Sequence, residues 1–349
     1  MKVLVVDFIY NVKQHLKMNC DYINALSRIC EVIVYAKEGF YESGMLAANV
    51  EVITYKDRGA QGNGLKRIKD SLYVMRGAGK LDKKIKFDAI FALTYDLRAT
   101  ALGMHFFKRR QTLYLMNHYN IDALERFSNF IFYFFYKNRV NQLVLEKYFK
   151  DHLVKRYNVK DELVYYVPHK AHFLENRKVV KAGKYDCVGI SNSNDEQLIS
   201  KIVQLEMTKK VFEGRRVILR SRNQEFDDGN LKVINHYLSA DEYADYMNCA
   251  SQIFIPFPDS FKYRLSGTLY EALAAKKKVI TTDIPLARDF QERYEGCCSI
   301  INSAEQFIRS IKDEQEHGIS GEAYEKFMVE HSEDEIIQTF RKILNITEK

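Results

Sequence analysis

Short apolar segments rich in β-branched residues alternate with longer helical patterns, and this alternation constrains the fold more than any other feature. Strand-like segments in the first half cover residues 2–8, 31–35, 50–55, 89–93, 112–116, 142–145 and 164–168. Helical patterns lie between them at residues 15–29, 65–84, 97–108 and 121–138. Strand, crossover helix and strand in succession form a parallel sheet covered on both faces, so the sequence predicts an α/β fold.

The same alternation starts again after a polar stretch that follows residue 168. Strand-like segments recur at residues 185–190, 216–219, 231–235, 252–256, 278–282 and 298–301, with helical patterns between them. We predict two Rossmann-like doubly wound domains facing a cleft, residues 1–170 and 171–330. A C-terminal helix, residues 331–349, is expected to pack back on the first domain. Ligands of such sheets bind beyond the carboxyl ends of the strands.

The charge of the chain is divided unevenly along its 349 residues. Residues 1–180 hold 30 Lys and Arg against 18 Asp and Glu, whereas the remainder holds 23 against 28. A basic first half suits an anionic partner such as a membrane surface or an acidic glycan. An ordinary solvated basic surface is the alternative.

The six cysteines form no C-x-x-C pair, and most lie in apolar runs, which is typical of reduced cysteines in a cytoplasmic protein. The first residues, MKVLVVD, become charged too early for a signal peptide. No segment approaches the ~20 apolar residues that span a bilayer. The sequence has neither metal-ligand spacing nor a D-x-D triplet, so we expect no bound metal and no cofactor.

Residues 257–282, FPDSFKYRLSGTLYEALAAKKKVITT, form the most informative segment, which predicts strand, basic loop, helix, turn and strand. Ser266, Gly267 and Thr268 open the helix. Serine caps free amides at such a position, and glycine lets an anion approach the backbone. Free N–H groups and the helix dipole favour a phosphate there.

Three charged residues extend this pattern. Lys262 and Arg264 add cations just before the helix, and Glu271 lies one turn into it, where its carboxylate can accept hydrogen bonds from ribose hydroxyls. An ordinary capped helix with solvated basic neighbours is the alternative for each residue taken alone. Together they favour a site for a phosphate with a ribose beside it.

The run EALAAKKKVI at residues 271–280 resembles the E-A-x-A-x-G-x-P-V-I run of GT-B glycosyltransferases, especially the retaining group with an E-x7-E element. Residues 238–250 resemble the helix that precedes the next strand in that family. The resemblance covers residues 185–292 well and is mainly topological before them. It implies a helix that binds the diphosphate of a nucleotide-sugar donor, a ribose bound by Glu271, and catalysis without a metal.

The chain departs from that family at several positions. Tyr263 stands where the first glutamate is expected, and Lys276 and Lys278 replace the glycine and proline of the turn. The Arg and Lys that usually follow the first strand of the second domain are missing. Arg220 and Arg222, after its second strand, are candidates to replace them as diphosphate clamps.

In the first domain, His118 and Asp7 are the candidate catalytic residues. His118 resembles the strand-end histidine that many GT-B enzymes place against the donor sugar, although a structural role is the alternative. An inverting enzyme needs a base within hydrogen-bond reach, for which His15 and Asp96 are further candidates. In a retaining enzyme the leaving phosphate takes the proton, and stabilising the diphosphate carries much of the rate. Tyr237, in the second domain, is a candidate to stack on the nucleotide base.

Two further segments need an interpretation. The loop GAQGNG at residues 59–64 is not a G-x-G-x-x-G fingerprint, and we predict a mobile loop there instead of a dinucleotide site. Residues 127–139, FSNFIFYFFYKNR, are aromatic nearly all round, which is typical of a buried helix. A peripheral membrane anchor flanked by Lys137 and Arg139 is the alternative.

The sequence therefore predicts a cytoplasmic glycosyltransferase, peripheral on the inner face of the cell membrane if the basic half contacts anionic lipid. It would move a sugar from a nucleotide-diphosphate donor to a hydroxyl of a glycan or lipid-linked acceptor, in bacterial surface polysaccharide synthesis, with no nucleic acid as partner. The resemblance favours retention over inversion. The alternatives are a non-catalytic member that binds a nucleotide sugar or scaffolds a synthesis complex, which Tyr263 supports, and a nucleotide-sugar 2-epimerase.

Overall fold

The computed structural model describes residues 1–8, 15–56, 64–108, 112–172, 185–313 and 318–347. The chain divides into two compact units. Unit 1 comprises Met1–Lys170 together with His331–Lys349, and unit 2 comprises Ala171–Glu330. Each unit is a parallel sheet with helices, so the predicted pair of Rossmann-like domains is confirmed.

The sheet of unit 1 has seven parallel strands in the order β3-β2-β1-β4-β5-β6-β7 within the described ranges. The strand order reverses between β1 and β4, as in the doubly wound dinucleotide folds. The strands are β1 Lys2–Asp7, β2 Glu31–Lys37, β3 Glu51–Tyr55, β4 Ala89–Thr94, β5 Leu113–Asn117, β6 Asn141–Val144 and β7 Val164–Tyr166.

Unit 1 has seven described α-helices, which cover the hydrophobic faces of this sheet. They are α1 Leu16–Ser27, α2 Leu65–Ile85, α3 Leu97–Gly103, α4 Asn120–Ala123, α5 Phe127–Phe134, α6 Lys147–Tyr157 and, near the end of the chain, α13 Glu333–Ile343.

The sequence pattern did not predict α6. The prediction of one helix over residues 121–138 is wrong because Arg126 adopts an extended conformation, and Asn129 donates a 2.9 Å hydrogen bond to the Ala123 carbonyl across the break.

Helix α13 packs into the core of unit 1 although more than 150 residues separate it from β7. The Phe340 ring lies edge-on to Tyr22 at 5.8 Å and to Phe91 at 5.6 Å between centroids. Glu333, at the start of α13, pairs with Lys170 at 2.6 Å and with Arg28 at 3.1 Å. Unit 1 is therefore built from two separate segments of the chain.

The sheet of unit 2 repeats the reversal of strand order, now between β8 and β12. Its order is β10-β11-β9-β8-β12-β13-β14 over the part of the chain that the structure describes. All neighbours are parallel except β10 and β11. The strands are β8 Tyr185–Gly189, β9 Val217–Arg220, β10 Phe226–Asp227, β11 Leu231–Ile234, β12 Ala250–Ile255, β13 Lys278–Thr282 and β14 Ser299–Ile301.

Unit 2 has six described helices, which are α7 Glu196–Lys209, α8 Ala240–Cys249, α9 Gly267–Ala274, α10 Pro285–Arg293, α11 Ala304–Lys312 and α12 Gly321–Glu330. Two of them, α7 and α11, contribute to a core that includes Phe254 and Phe307, whose rings stack at 4.0 Å. The sequence pattern did not predict α10, whose short apolar stripe is hidden among charged residues. A proline opens that helix at a position where its missing N–H costs nothing.

None of the helices within the described ranges is both long enough and apolar enough to cross a lipid bilayer.

Candidate functional site

The predicted donor residues of unit 2 lie at the carboxyl end of β9, in the loops that follow the strands, and in the first turns of α9. Strands β8 and β12 are the neighbours between which the strand order reverses. The loop after β8 leads to α7, and the loop after β12, which contains Lys262 and Arg264, leads to α9. Ligands of doubly wound sheets bind in this crevice, so the fold brings the candidate loops to the expected edge.

The start of α9 has the features of an anion site. Ser266 caps the helix, with its Oγ accepting a 3.3 Å hydrogen bond from the Leu269 amide. The amides of Gly267 and Thr268 have no acceptor among the described residues. Gly267 is exposed, and a Cβ atom at that position would meet nothing within 4 Å. The backbone is therefore open to a ligand beside two free helix donors.

Glu271 is connected to α8 through a partly buried tyrosine. The Tyr243 hydroxyl donates a 2.7 Å hydrogen bond to Glu271 Oε2, and its oxygen lies 3.1 Å from Thr268 Oγ1. Burial and the neighbouring carboxylate raise the pKa of Tyr243 well above its usual value, so this hydroxyl stays protonated. One oxygen of Glu271 is thus fixed by the protein, and Oε1 is left to accept hydrogen bonds from a ligand.

Arg220 is a buried cation at the end of β9, only 2% exposed. Its Nε donates to the His236 carbonyl at 2.9 Å and its Nη1 to the Ser191 carbonyl at 3.4 Å. The Asn194 side chain donates to the Arg220 carbonyl at 2.6 Å. Arg220 pairs with no carboxylate within the described ranges, so its charge is oriented but not neutralised by the protein.

Tyr237 covers the Arg220 guanidinium, which lies 4.5 Å from the centroid of the tyrosine ring. The Tyr237 side chain is nevertheless 74% exposed. One face of the ring therefore contacts a cation and much of the remaining surface faces solvent. An exposed aromatic platform beside a buried cation suits a planar base attached to a phosphate.

Arg222 lies two residues further along and has a different environment. Its backbone amide donates to the Glu196 carboxylate, and its exposed guanidinium donates to the Asn192 carbonyl. Glu196 also accepts a 2.5 Å hydrogen bond from Ser221 Oγ. These contacts tie the end of β9 to the loop after β8, which is the segment that lacks the family's usual cations.

In unit 1, Asp7 lies at the end of β1, at the point where the strand order reverses. Its carboxylate accepts hydrogen bonds of 3.0 Å from Asn19 Nδ2 and of 2.9 Å from Thr94 Oγ1. Burial raises the pKa of Asp7 to about 6, although hydrogen bonds from Thr94, Asn19 and Tyr41 act in the opposite direction. A carboxylate with that pKa can exchange a proton near neutral pH.

His118 follows β5 and stacks on His15, with 4.2 Å between ring centroids. Its Nε2 lies 2.7 Å from the Leu93 carbonyl oxygen. A carbonyl only accepts, so Nε2 carries the proton and Nδ1 presents a lone pair. Burial and the neighbouring His15 lower the pKa of His118 well below its usual value, and burial lowers that of His15. Both rings are therefore neutral at pH 7.

Asp96, the remaining candidate base, has a structural environment. Its Oδ1 accepts hydrogen bonds from the Arg98 and Ala99 amides at the start of α3, and its Oδ2 pairs with Arg67 at 2.6 Å. Both oxygens are thus occupied. The glycine-rich loop at residues 59–64 lies outside the described residues except for Gly64.

No protein-family model and no curated protein matches the sequence. Solved structures do match over the whole chain. HepE of Anabaena in complex with UDP-glucose aligns with a TM-score of 0.69 at 12% identity, covering 99% of this chain and 100% of that one. Sucrose-phosphate synthase of Thermosynechococcus elongatus aligns at 0.68 and 11% over the same shares.

This chain has the GT-B fold. The UDP-GlcNAc 2-epimerase of Methanocaldococcus jannaschii is also similar, with a TM-score of 0.62 and 13% identity over 98% of this chain and 100% of that one. Identities of 11–13% establish the shared fold alone. The roles of individual residues therefore depend on the geometry of this chain, and the proposed site residues stay predictions.

The turn after α9 shows how the chain builds the GT-B helix without the usual glycine. Lys276, at the glycine position, adopts a left-handed conformation with φ +53°. Its Nζ lies 4.1 Å from the centroid of the Tyr324 ring. Lys278, at the proline position, is buried and donates to the Ser310 and Asp313 carbonyls. These lysines hold the turn and do not face the α9 start.

Three residues around the site were not predicted: Tyr243, Asn194 and Glu196, which hydrogen-bond the Glu271 carboxylate, the Arg220 carbonyl and the Arg222 amide respectively. No local pattern points to them because each acts across helices or strands that are far apart in sequence. Arg264 was predicted, and its guanidinium lies 5.7 Å from the centroid of the Phe261 ring on the same loop. Across the described ranges, no group of three His, Cys, Asp or Glu side chains is arranged to hold a metal ion.

Proposed function

We propose that the chain is a glycosyltransferase that takes a sugar from a nucleotide-diphosphate donor bound to unit 2. The observation that carries the proposal is Arg220, a buried cation at the carboxyl edge of the sheet whose guanidinium hydrogen bonds, within the described ranges, go to carbonyls and to no carboxylate. Burying a charge without a counter-ion is costly. The cost is explained if the site is completed by an anionic ligand. The GT-B fold makes the diphosphate of a nucleotide sugar the ligand of choice.

Three sets of groups would hold the diphosphate. The amides of Gly267 and Thr268 donate from the start of α9, Arg220 supplies a fixed positive charge, and the loop cations Lys262 and Arg264 extend the positive region. Breaking the bond to the sugar leaves an additional negative charge on the diphosphate. Preoriented donors stabilise that charge as it develops, and this stabilisation replaces the charge that a metal ion would supply.

The nucleoside would be bound by Glu271 and Tyr237. Glu271 Oε1 is available to the ribose hydroxyls because Tyr243 takes the other oxygen. Tyr237 offers an exposed ring for stacking on the base. Tyr263 stands at the position of the missing first glutamate, so the sugar itself would be held without that carboxylate.

Unit 1 would bind the acceptor and contribute the catalytic groups. His118 is neutral and directs its Nδ1 lone pair away from the Leu93 carbonyl, so it can accept a hydrogen bond from a sugar hydroxyl. Asp7, with a pKa of about 6, is mostly ionised at pH 7 and can orient an acceptor hydroxyl. We propose retention, in which the leaving diphosphate receives the acceptor proton.

The net positive charge of unit 1 indicates which class of acceptor it would bind. Unit 1 holds 31 Lys and Arg against 21 Asp and Glu, which suits an anionic glycan or a lipid-linked acceptor with a phosphate. We propose a role in bacterial surface polysaccharide synthesis on the cytoplasmic side of the membrane. Such acceptors are held at the membrane by their lipid.

A thermal-shift screen against UDP, GDP, ADP, CMP and their sugars, without added metal, tests the donor site. One nucleotide should stabilise the protein, by about 2.7 kcal/mol at 100 times its dissociation constant. Arg220→Lys should weaken that nucleotide by roughly 30-fold, about 2 kcal/mol, because the bidentate fork is lost. Arg216→Lys is the matched control, because Arg216 is exposed and lies at the opposite, amino end of β9. Equal loss in both variants, or no stabilisation by any nucleotide, would contradict the donor site.

An epimerase is the second candidate, because UDP-GlcNAc 2-epimerases share this fold. An epimerase converts its nucleotide sugar without an acceptor. Incubating the protein with the nucleotide sugar found in the screen, and following the sugar protons by NMR, separates the two activities. Spectra recorded after a glycan or lipid-linked acceptor is added give the anomeric configuration of a transferred sugar. Binding without any conversion, whether or not the acceptor is present, would instead indicate the non-catalytic alternative.

A further inference from the structure

Helix α5 of unit 1 exposes its most apolar face, the reverse of what a helix on a water-facing surface usually does. Four large side chains on this helix and its C-terminal cap are solvent-exposed: Phe127 by 76%, Ile131 by 42%, Phe134 by 61% and Phe135 by 59%. They are spaced at i, i+4, i+7 and i+8, so they share one side of the helix. We call them the aromatic face.

The opposite side of α5 is the side that packs against the protein, and it carries the polar groups. Asn129 and Tyr133 are buried there, and Tyr136 continues the same side after the helix. Asn129 donates to the Ala123 carbonyl, while the Tyr133 and Tyr136 rings pack edge to face at 5.4 Å. The helix is therefore fixed with its polar residues inward. The interpretation of residues 127–139 as a buried helix is wrong for the aromatic face.

A basic pocket of about 600 Å³ lies within reach of the aromatic face in the same unit. It is lined by His105, Phe107, Lys108, Asn138, Arg139, Val140 and Leu163. Arg139 follows Phe135 by four residues, so their Cα atoms are at most roughly 14 Å apart. Lys108 and Arg139 are exposed, and neither pairs with a carboxylate within the described ranges.

We propose that the aromatic face and the basic pocket form a docking surface for an anionic phospholipid membrane. The four apolar side chains enter the boundary between headgroups and acyl chains, and the pocket accepts the phosphate of a lipid headgroup through Lys108 and Arg139. The positive charge of the pocket favours an anionic membrane over a protein partner, because a protein partner needs no cationic pocket beside an apolar helix face. Unit 1 carries ten more basic than acidic residues, which attracts an anionic surface.

The inference extends the proposed function, since a lipid-linked acceptor would then be met at the membrane, but it can be tested independently of catalysis. The chain has no tryptophan, so a single introduced indole reports on one position. Phe134→Trp should shift its emission to shorter wavelength with vesicles of phosphatidylcholine and phosphatidylglycerol. Met207→Trp, at a side chain 62% exposed on α7 of unit 2, should show no shift. Equal shifts, or none, overturn the proposal.

Co-sedimentation with the same vesicles measures the two parts of the surface separately. Phe134→Gln combined with Phe135→Gln should lower vesicle affinity by roughly tenfold or more, because two side chains that insert are lost. Lys108→Ala combined with Arg139→Ala should lower it only on anionic vesicles and should flatten its dependence on salt. Met207→Gln is the control for exposed apolar side chains. No nucleotide sugar is present, so failure of the donor site leaves these results unaffected.

The proposal is supported if both double variants bind vesicles more weakly than the wild-type chain while their thermal stability is unchanged. Unaltered vesicle binding in the aromatic double variant overturns it, as does failure of the wild-type chain to bind anionic vesicles. The proposal is also overturned if the wild-type chain is a dimer in sedimentation, the aromatic double variant is a monomer, and neither binds vesicles. That result would assign this face to a second copy of the chain.

Discussion

Tyr243 and Glu271 form a 2.7 Å hydrogen bond that joins two helices of unit 2, α8 and α9. Both side chains are partly buried, and the bond fixes one carboxylate oxygen of Glu271 and leaves the other to a ligand. The position of the proposed ribose ligand is therefore set by a residue 28 positions earlier in the chain.

Replacing this tyrosine should affect both binding and stability. Tyr243→Phe leaves Glu271 Oε2 without its donor, so we expect the free energy of unfolding to fall by about 1 kcal/mol. Nucleotide affinity should fall roughly fivefold because Glu271 is no longer oriented. Calorimetric titration with the nucleotide found by thermal shift measures the second effect. Tyr246→Phe, on the same helix, is the control, and equal affinity in all three proteins would refute the positioning role.

Gly267→Ala should separate binding from folding. The added methyl group meets no protein atom within 4 Å, and alanine is the better helix former, so stability should stay equal or rise by up to about 1 kcal/mol. The methyl group would occupy the space through which a phosphate approaches the backbone. We expect roughly tenfold weaker nucleotide binding, measured by titration beside a denaturation curve. Undiminished binding would place the phosphate elsewhere.

The stability of the protein should depend on pH through Asp7. Its folded pKa of about 6 lies above the ordinary value of 3.8, so the folded state binds the proton more tightly than the unfolded state. The resulting stabilisation is complete below pH ~4 and is lost as pH rises through 6, up to about 3 kcal/mol.

Asp7→Asn removes this titration. Relative to the variant, the wild-type protein should lose stability between pH 4 and pH 6.5, and denaturant unfolding at several pH values measures the difference. The control is internal, because other titrating groups are common to both proteins and cancel in the subtraction. A difference that is flat across this range would contradict the raised pKa.

Lys276 offers a test of backbone conformation at the turn that follows α9. Its left-handed φ of +53° costs a residue with a Cβ roughly 1 kcal/mol relative to glycine. Lys276→Gly removes this cost but also the contact of Nζ with the Tyr324 ring. Lys276→Ala removes only the contact. We therefore expect the glycine variant to be more stable than the alanine variant by about 1 kcal/mol in thermal denaturation. The opposite order would mean that the turn opens in the variants.

Much of the fold was predictable because buried parallel strands are short, apolar and rich in β-branched residues. Six of the seven strands of unit 2 stand out in this way, whereas β10 has only two residues, Phe226–Asp227, and gives no periodic signal. Helix α6 was missed although its buried residues recur every four positions, at Phe149, Leu153 and Tyr157. Its charged residues obscured that stripe.

The location of the candidate site could be predicted from the sequence, but the burial of Arg220 could not. The order of strands and helices places Arg220 and Ser266 at one edge of a sheet. Whether Arg220 is buried depends on Asn194 and on the His236 carbonyl, which come from other loops. The aromatic face of α5 could not be oriented from sequence either, because a helix that is apolar nearly all round has no stripe to indicate its inner side.

The return of helix α13 to unit 1 has a consequence for biosynthesis. A ribosome delivers all seven strands of unit 1 first, then the whole of unit 2, and only then the helix whose Phe340 packs on Tyr22 and Phe91. Until that helix emerges, the nascent first unit exposes an apolar surface where Phe340 will lie. Unit 1 therefore stays incomplete while the ribosome synthesises some 160 intervening residues. During that interval a chaperone can bind the exposed apolar surface.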